Sequence, residues 1–277
     1  MTRRHRLAPY LFLSPALLLL CVFLLWPLAR SLALSFYLTA GPRTEKFVGF
    51  GNYRFLIFHD RIFWLAAINT ALFTLGFLLI QIPLSLALAM LLNSRQTRAR
   101  SLLRFCFFST YLCGQVFVAV IFFALLGHHP LNVPWLTDSR WTMITLLLAA
   151  IWLSTGYAMV FLLAALSAVR QELYEAAQLD GAGPWTSFRH VTLTGIRPML
   201  AFLILVGTIT GFQLFELPYV LFQGPGPGYR ALTIVMYLYS AGFDRGDLGY
   251  ASAIGWLMVL VLGFVAAIEL RLAAERT

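Results

Sequence analysis

The chain has 277 residues, of which 60% are hydrophobic and only 11% charged, with a formal net charge of +9. Ordinary soluble domains carry about 25% charged residues, and a chain of this length cannot hide so much apolar surface in one core, so lipid is the expected solvent and a soluble enzyme is excluded. Nucleic-acid binding is excluded too, because the basic residues form no aromatic-laced patch and sit instead at the ends of apolar runs, as in membrane proteins.

The first uncharged run lies between Arg6 and Arg30 and contains Cys21. Arg3, Arg4 and Arg6 before it resemble a secretory leader, but the apolar stretch exceeds the roughly 7–15 residues of a signal core, so a retained span is expected. Residues 38–61 follow as a long outer connection, with Gly41-Pro42 and Gly49-Phe50-Gly51-Asn52 as turn signals. The second run, Arg61 to Arg95, holds Asn69 and Gln81, and the third, Arg104 to Asp138, holds Gln115. Helix-to-helix hydrogen bonds account for such amides. Cys106 and Cys113, seven apart on the third span, are separated by roughly 10 Å of helical rise, too far for a disulfide. All three cysteines are read as small buried hydrophobes. His128 and His129 have no third ligand near them, so no metal site is expected.

The fourth run extends from Arg140 to Arg170, followed by 167–195, the longest polar stretch between spans. The fifth, Arg197 to Glu216, continues through Phe222. A second outer connection, 223–247, opens with Gly224-Pro225-Gly226-Pro227-Gly228, and the sixth run lies between Asp247 and Glu269. A spanning helix needs about 20 apolar residues. The expected fold is therefore all-α: one polytopic domain over 1–277 with six transmembrane helices, roughly 8–30, 64–93, 105–127, 141–166, 197–222 and 248–269.

An even number of spans puts both termini on one side. With that side cytoplasmic, 12 of the 20 basic residues lie inside, and the acid-free cluster Arg95, Arg98, Arg100 and Arg104 carries most of the bias. The Gly-rich run at 224–228 is not a phosphate loop, because no Lys follows it; the only lysine, Lys46, follows Glu45. Glu216 is the one acid clearly embedded in an apolar run, so the spans hold no proton relay of the kind ion-coupled carriers need. Energy is expected to come from a partner protein.

Within 167–195, Gln171 to Leu179 are good helix formers, Gly181 is placed to end that helix in a left-handed conformation, and Pro184 suits the first turn of a second short helix, Trp185–His190. The expected product is a helix–turn–helix elbow, with Ala176 and Ala177 as a thin edge and Glu172, Glu175 and Asp180 supplying charge. Glu175-Ala176-Ala177, Gly181, Val191 and Leu193 resemble the EAA loop of importer-type ATP-binding-cassette permeases, whose pattern is E-A-A-x3-G-x9-I-x-L-P. Val191 replaces the Ile, Thr194 replaces the closing Pro, and Arg170 stands where sugar permeases often have Pro. Phe47-Val48-Gly49-Phe50-Gly51-Asn52-Tyr53, Asn69-Thr70 and Gly246-Asp247-Leu248-Gly249-Tyr250-Ala251-Ser252-Ala253 are similar to segments of the maltose and glycerol-phosphate type permeases. The resemblance covers nearly the whole chain.

It implies a non-catalytic permease in a bacterial cytoplasmic membrane, working with a second homologous permease, a cytoplasmic ATPase dimer that binds the ATP and Mg, and an extracytoplasmic solute-binding protein that delivers a carbohydrate. Glycerol-phosphate compounds or polyols are the alternative cargo; a passive channel or ion-coupled carrier is the alternative class. Glu172, Glu175, Ala176, Ala177, Asp180 and Gly181 would couple the chain to the ATPase. For the substrate pathway the expectation falls on Gln213 and Glu216, one helical turn apart on the fifth span, with Tyr219 beyond a kink at Pro218; bonding to neighbouring helices or to the partner permease is the competing reading of the first two.

Overall fold

The computed structural model describes residues 4–39, 45–93, 100–128 and 132–274. Of the Arg95–Arg104 cluster, Arg95 and Arg98 lie outside the described residues, as do Arg3, Gly41, Pro42 and His129. Among the described residues, four helices are long and apolar enough to cross a bilayer: Phe12–Leu34, Arg61–Asn93, Ser139–Ala168 and Leu248–Leu272. Two bent pairs, Arg100–Leu112 with Gln115–Leu126 and Pro184–Gly195 with Arg197–Phe212, raise the number to as many as six. The fold is all-α, with one short antiparallel hairpin in which Tyr37 pairs with Phe47 and Leu38 with Lys46.

Three expectations need correction. The third apolar run is not one straight helix: it breaks at Cys113-Gly114, where Gly114 takes an extended backbone, and the halves meet at 98°. No charge marks that break in the sequence. The fifth run breaks at Gln213–Phe215 instead of Pro218, which sits in the first turn of the following helix, Glu216–Leu221, where a missing N–H costs nothing. Finally, Cys21 and Cys106 are exposed and Cys113 is half-buried. In lipid, an outward-facing thiol is as well placed as Leu, so exposure from the chain is no penalty.

The chain divides into two compact units, one formed by residues up to Arg61 with Tyr237–Leu260, the other by Ile62–Met236 with the residues from Val261 on. In the first, no residue of the helix Phe12–Leu34 is buried within the chain. The stretch that follows this helix is held by side-chain hydrogen bonds. Buried Asn52 donates to the carbonyls of Ser35 and Tyr37, both at 2.9 Å, and the Tyr53 hydroxyl donates to Ser35 Oγ at 2.8 Å. Asp247 and Thr39 cap the last helix together. Asp247 Oδ1 accepts from the Tyr250 amide (3.1 Å) and from Thr39 Oγ1 (3.0 Å), while Thr39 Oγ1 accepts from the Gly249 amide at 2.7 Å. A Cβ on Gly249 would lie 1.9 Å from the Tyr37 carbonyl oxygen, so only glycine fits. Buried Asp60 accepts from the phenols of Tyr237 and Tyr250. Burial first, then the bond to Asp60, pushes the Tyr237 phenol up, which keeps it a neutral donor.

The second unit contains two apolar clusters. One joins Phe73, Phe77, Val118, Leu146, Leu217 and Leu221; the other joins Ala89, Leu92, Met159, Leu162, Ile196 and Leu203. Polar residues on Arg61–Asn93 face inward and bond across helices: Gln81 to the Ser154 carbonyl (3.5 Å) and Ser85 to that of Thr155 (3.1 Å). Where helices cross closely, glycine permits it. A Cβ on Gly156 would meet the Phe107 carbonyl oxygen at 1.8 Å. The middle of the second expected outer connection is instead largely buried, with Ala231, Leu232, Thr233, Ile234 and Met236 each below a tenth exposed. Asn69 donates to the carbonyls of Tyr229 (2.8 Å) and Leu232 (3.2 Å), and Thr70 Oγ1 accepts from the Ile234 amide at 3.0 Å. These bonds fold the segment inward.

Candidate functional site

The helix Ser139–Ala168 ends at Val169, and Arg170 is extended before the helix Gln171–Leu179, whose bounds match the sequence reading. Glu172 lies in its first turn, where a carboxylate offsets the helix dipole. The Arg170–Glu172 pair at 3.8 Å is solvated on both sides and contributes little. The helix stops as expected: Gly181 has φ +76°, its amide bonds the Gln178 carbonyl at 3.0 Å, and the Ala182 amide bonds that of Ala177 at 2.9 Å. This is a Schellman closure, in which the left-handed residue reverses the chain and satisfies two orphan carbonyls.

The second arm begins at Pro184, continues through a wide turn at Phe188–Thr192 and ends at Gly195, longer than the expected Trp185–His190. The two arms are tied by a hydrogen bond between the Tyr174 hydroxyl and Thr192 Oγ1 at 3.1 Å. Thr192 is buried, so the tie lies inside the elbow. Val169, Leu193 and Ile196 join the cluster around Met159 and Leu162, which fixes the elbow to the helices above it. Its free face is apolar: Leu179 is 89% exposed and Trp185 72%, with Trp185 stacked on Phe188. Glu172, Glu175, Ala176, Asp180 and Gly181 are exposed, and Ala177 is half-buried. Gln171 Nε2 donates to Glu175 Oε1 at 3.0 Å. The coupling residues named from sequence therefore share one small, rigid projection, to which the structure adds Leu179 and Trp185.

The expected pathway residues are arranged differently from the sequence reading. Gln213 ends the helix Arg197–Phe212 and Glu216 begins the next, so they are not one turn apart on a continuous helix. Both are exposed, as is Tyr219, whose ring stacks on Phe215 at 5.2 Å. The broken backbone is satisfied locally: Thr233 Oγ1 donates to the Leu214 carbonyl at 2.7 Å. Sequence reasoning missed an aromatic series built from three helices. Tyr111 stacks on Tyr157 at 4.6 Å, Tyr157 meets Phe161 at 4.7 Å, and Phe161 meets Phe202 at 5.9 Å. In a chain that is 15% aromatic, no spacing singles these four out. The same unit holds an apolar cavity of about 480 Å³, whose walls include Phe107, Thr110, Phe122, Trp152 and Gly156. Among the described residues no group of His, Cys, Asp and Glu could hold a metal ion.

Comparison with known proteins agrees with this architecture. Residues 81–277 match the family described as binding-protein-dependent transport system inner membrane component. The chain is 34% identical to the arabinooligosaccharides transport system permease protein AraP of Bacillus subtilis, over 97% of this chain and 89% of that one. It is 33% identical to the lactose transport system permease protein LacF of Rhizobium radiobacter, covering 96% and 94%. It is also 33% identical to the sulfoquinovosyl glycerol transport system permease protein SmoG of Agrobacterium fabrum, covering 96% and 90%. Among solved structures, a chain of a bacterial transporter that imports the acidic polysaccharide alginate has the same fold, with a TM-score of 0.82 over 98% of this chain and 96% of that one at 22% identity. The chain thus belongs to the family of binding-protein-dependent transport system inner membrane components, as a multi-pass, non-catalytic permease subunit of an ATP-binding-cassette transporter.

Proposed function

We propose that the chain is half of the membrane pathway of a carbohydrate importer in a bacterial cytoplasmic membrane. A second homologous permease completes the pathway, a cytoplasmic ATPase dimer carrying ATP and Mg drives it, and an extracytoplasmic solute-binding protein supplies the sugar. The elbow 170–195 carries this reading. A short arm closed at Gly181, cross-tied at Tyr174 and rooted in the helix core can move as a rigid body, as a transmitter of ATPase closure must. Its exposed Leu179 and Trp185 suit burial against a partner protein. With the elbow inside, both termini are cytoplasmic. The bare apolar surface of Phe12–Leu34 supports packing against the second permease or lipid.

Carbohydrate is favoured as cargo by the three sugar-transport relatives and by the part-exposed rings of Tyr111 and Phe202, since aromatic rings pack on sugar C–H surfaces. The test uses proteoliposomes holding the complete complex. Labelled oligosaccharide bound to the solute-binding protein should enter only when ATP is present on the ATPase side. ATP-independent flux through the chain alone would identify a passive channel instead.

A further inference from the structure

One side-chain cluster in the first unit lies outside the coupling and pathway roles. Asp60 immediately precedes the helix Arg61–Asn93, and it accepts a hydrogen bond from Tyr250 in the first turn of Leu248–Ala274. Asp60 is therefore level with the start of the membrane-crossing helix Leu248–Ala274, which puts this end of the unit at the boundary between hydrocarbon and headgroups. At that level the outer stretch leaves Phe47, Phe50, Phe58 and Phe243 exposed, Phe50 and Phe58 by 74% each. The same unit holds a pocket of about 400 Å³, with Leu38, Val48 and Phe55 on its apolar wall and Arg245 and Tyr250 on its polar side.

The cation in this pocket is set in place from below. The Arg245 guanidinium lies 5.0 Å from the Tyr237 ring centroid and 5.9 Å from that of Tyr250. Both phenols are held by Asp60, so the rings that support the cation cannot rotate away. The carboxylate that does line the pocket, Asp247, is engaged by the Thr39 hydroxyl and the Tyr250 amide. The Arg245 side chain is exposed and lines the pocket.

We propose that this pocket is a phospholipid site, in which Arg245 holds the headgroup phosphate while the apolar wall of Leu38 and Phe55, with the exposed phenylalanines of the same unit, lies among the upper acyl methylenes. A guanidinium matches a phosphate in charge and in donor geometry, and interfacial aromatic side chains are stable where one end is apolar and the other wet. A solute-binding protein presenting a carboxylate would satisfy the cation as well. It docks only during turnover, however, and would leave four phenylalanines in water for the rest of the cycle. Lipid covers them continuously, and this favours it.

The test is native mass spectrometry of the whole transporter, purified with its partner subunits and titrated with phosphatidylglycerol, phosphatidylethanolamine or phosphate-free diacylglycerol. Wild type should retain one phospholipid more tightly than Arg245→Ala by about ten-fold, and Arg245→Lys should keep most of that retention. Leu38→Trp, which fills the pocket and leaves the cation alone, should release the same lipid; it carries the test if Arg245→Ala fails to assemble. Equal phospholipid retention by wild type and both pocket variants would overturn the proposal. So would diacylglycerol retained as tightly as phospholipid. A photo-crosslinker at Val48 should label lipid in proteoliposomes; labelling of added solute-binding protein in its place would assign the pocket to protein docking.

Discussion

Gly181 concentrates the coupling hypothesis in one backbone angle. At φ +76° a β-branched side chain meets a steric penalty of about 1–2 kcal/mol. No heavy atom lies within 4 Å of a Cβ built there, so the cost is conformational and not a clash. That is small against the burial holding the helices in lipid. Gly181→Val should therefore reach normal membrane abundance while misdirecting the arm that starts at Pro184, and uptake should fall by an order of magnitude or more at equal abundance. Tyr174→Phe removes the tie to Thr192 without changing shape, leaves a buried hydroxyl short of a partner, and should give a milder loss of uptake. Glu175→Lys acts on an exposed charge and should leave thermal stability unchanged while weakening co-purification with the ATPase. Wild-type ATPase recovery with this variant would remove Glu175 from the contact. At this scale the sequence was informative because the elbow is local: helix formers, a stop glycine and a proline start lie within twenty residues and need no distant partner. The aromatic series Tyr111–Tyr157–Phe161–Phe202 was not legible, because its members meet only through helix packing.

Among the elements, the two interrupted runs matter most. Hydropathy registers length and apolarity, and neither changes at Gly114 or at Gln213–Phe215, so both breaks were invisible in composition. Pro218 drew attention as a kink, yet a proline in the first turn of a helix disturbs nothing. The real break is stabilised from elsewhere, by Thr233 donating to the Leu214 carbonyl. In lipid a freed carbonyl must find an internal donor. Thr233→Val should cost about 1–3 kcal/mol, the penalty of a buried unsatisfied group, seen as a lower melting temperature of the purified complex; an unchanged melting temperature would mean that another donor takes over. Sidedness is tested on the same elements. Cysteines at Thr186 in the elbow and Pro225 in the 224–228 run are both exposed positions. In intact cells an impermeant thiol reagent should label Pro225→Cys and spare Thr186→Cys. The reverse pattern would place the elbow outside and end its coupling role.

For the whole molecule, composition alone identified the class: 11% charged residues in 277 leaves a polytopic membrane protein, and the extended EAA string narrowed it to a permease before any coordinates. The outer stretch was legible as motifs but not as mechanism. Asn52, Asp247 and Gly249 belong to segments that resemble other permeases, and in the fold they are stitches and a close approach. The central claim is that this chain takes its energy from a partner ATPase through the elbow. The most direct measurement compares ATP hydrolysis by the purified complete complex, with and without sugar-loaded solute-binding protein, for wild type and Gly181→Val. The account predicts no hydrolysis by the isolated chain, stimulated hydrolysis by the wild-type complex, and either loss of the ATPase or loss of that stimulation in Gly181→Val at normal membrane abundance. Hydrolysis by the isolated chain, or full stimulation and uptake in Gly181→Val, would contradict it.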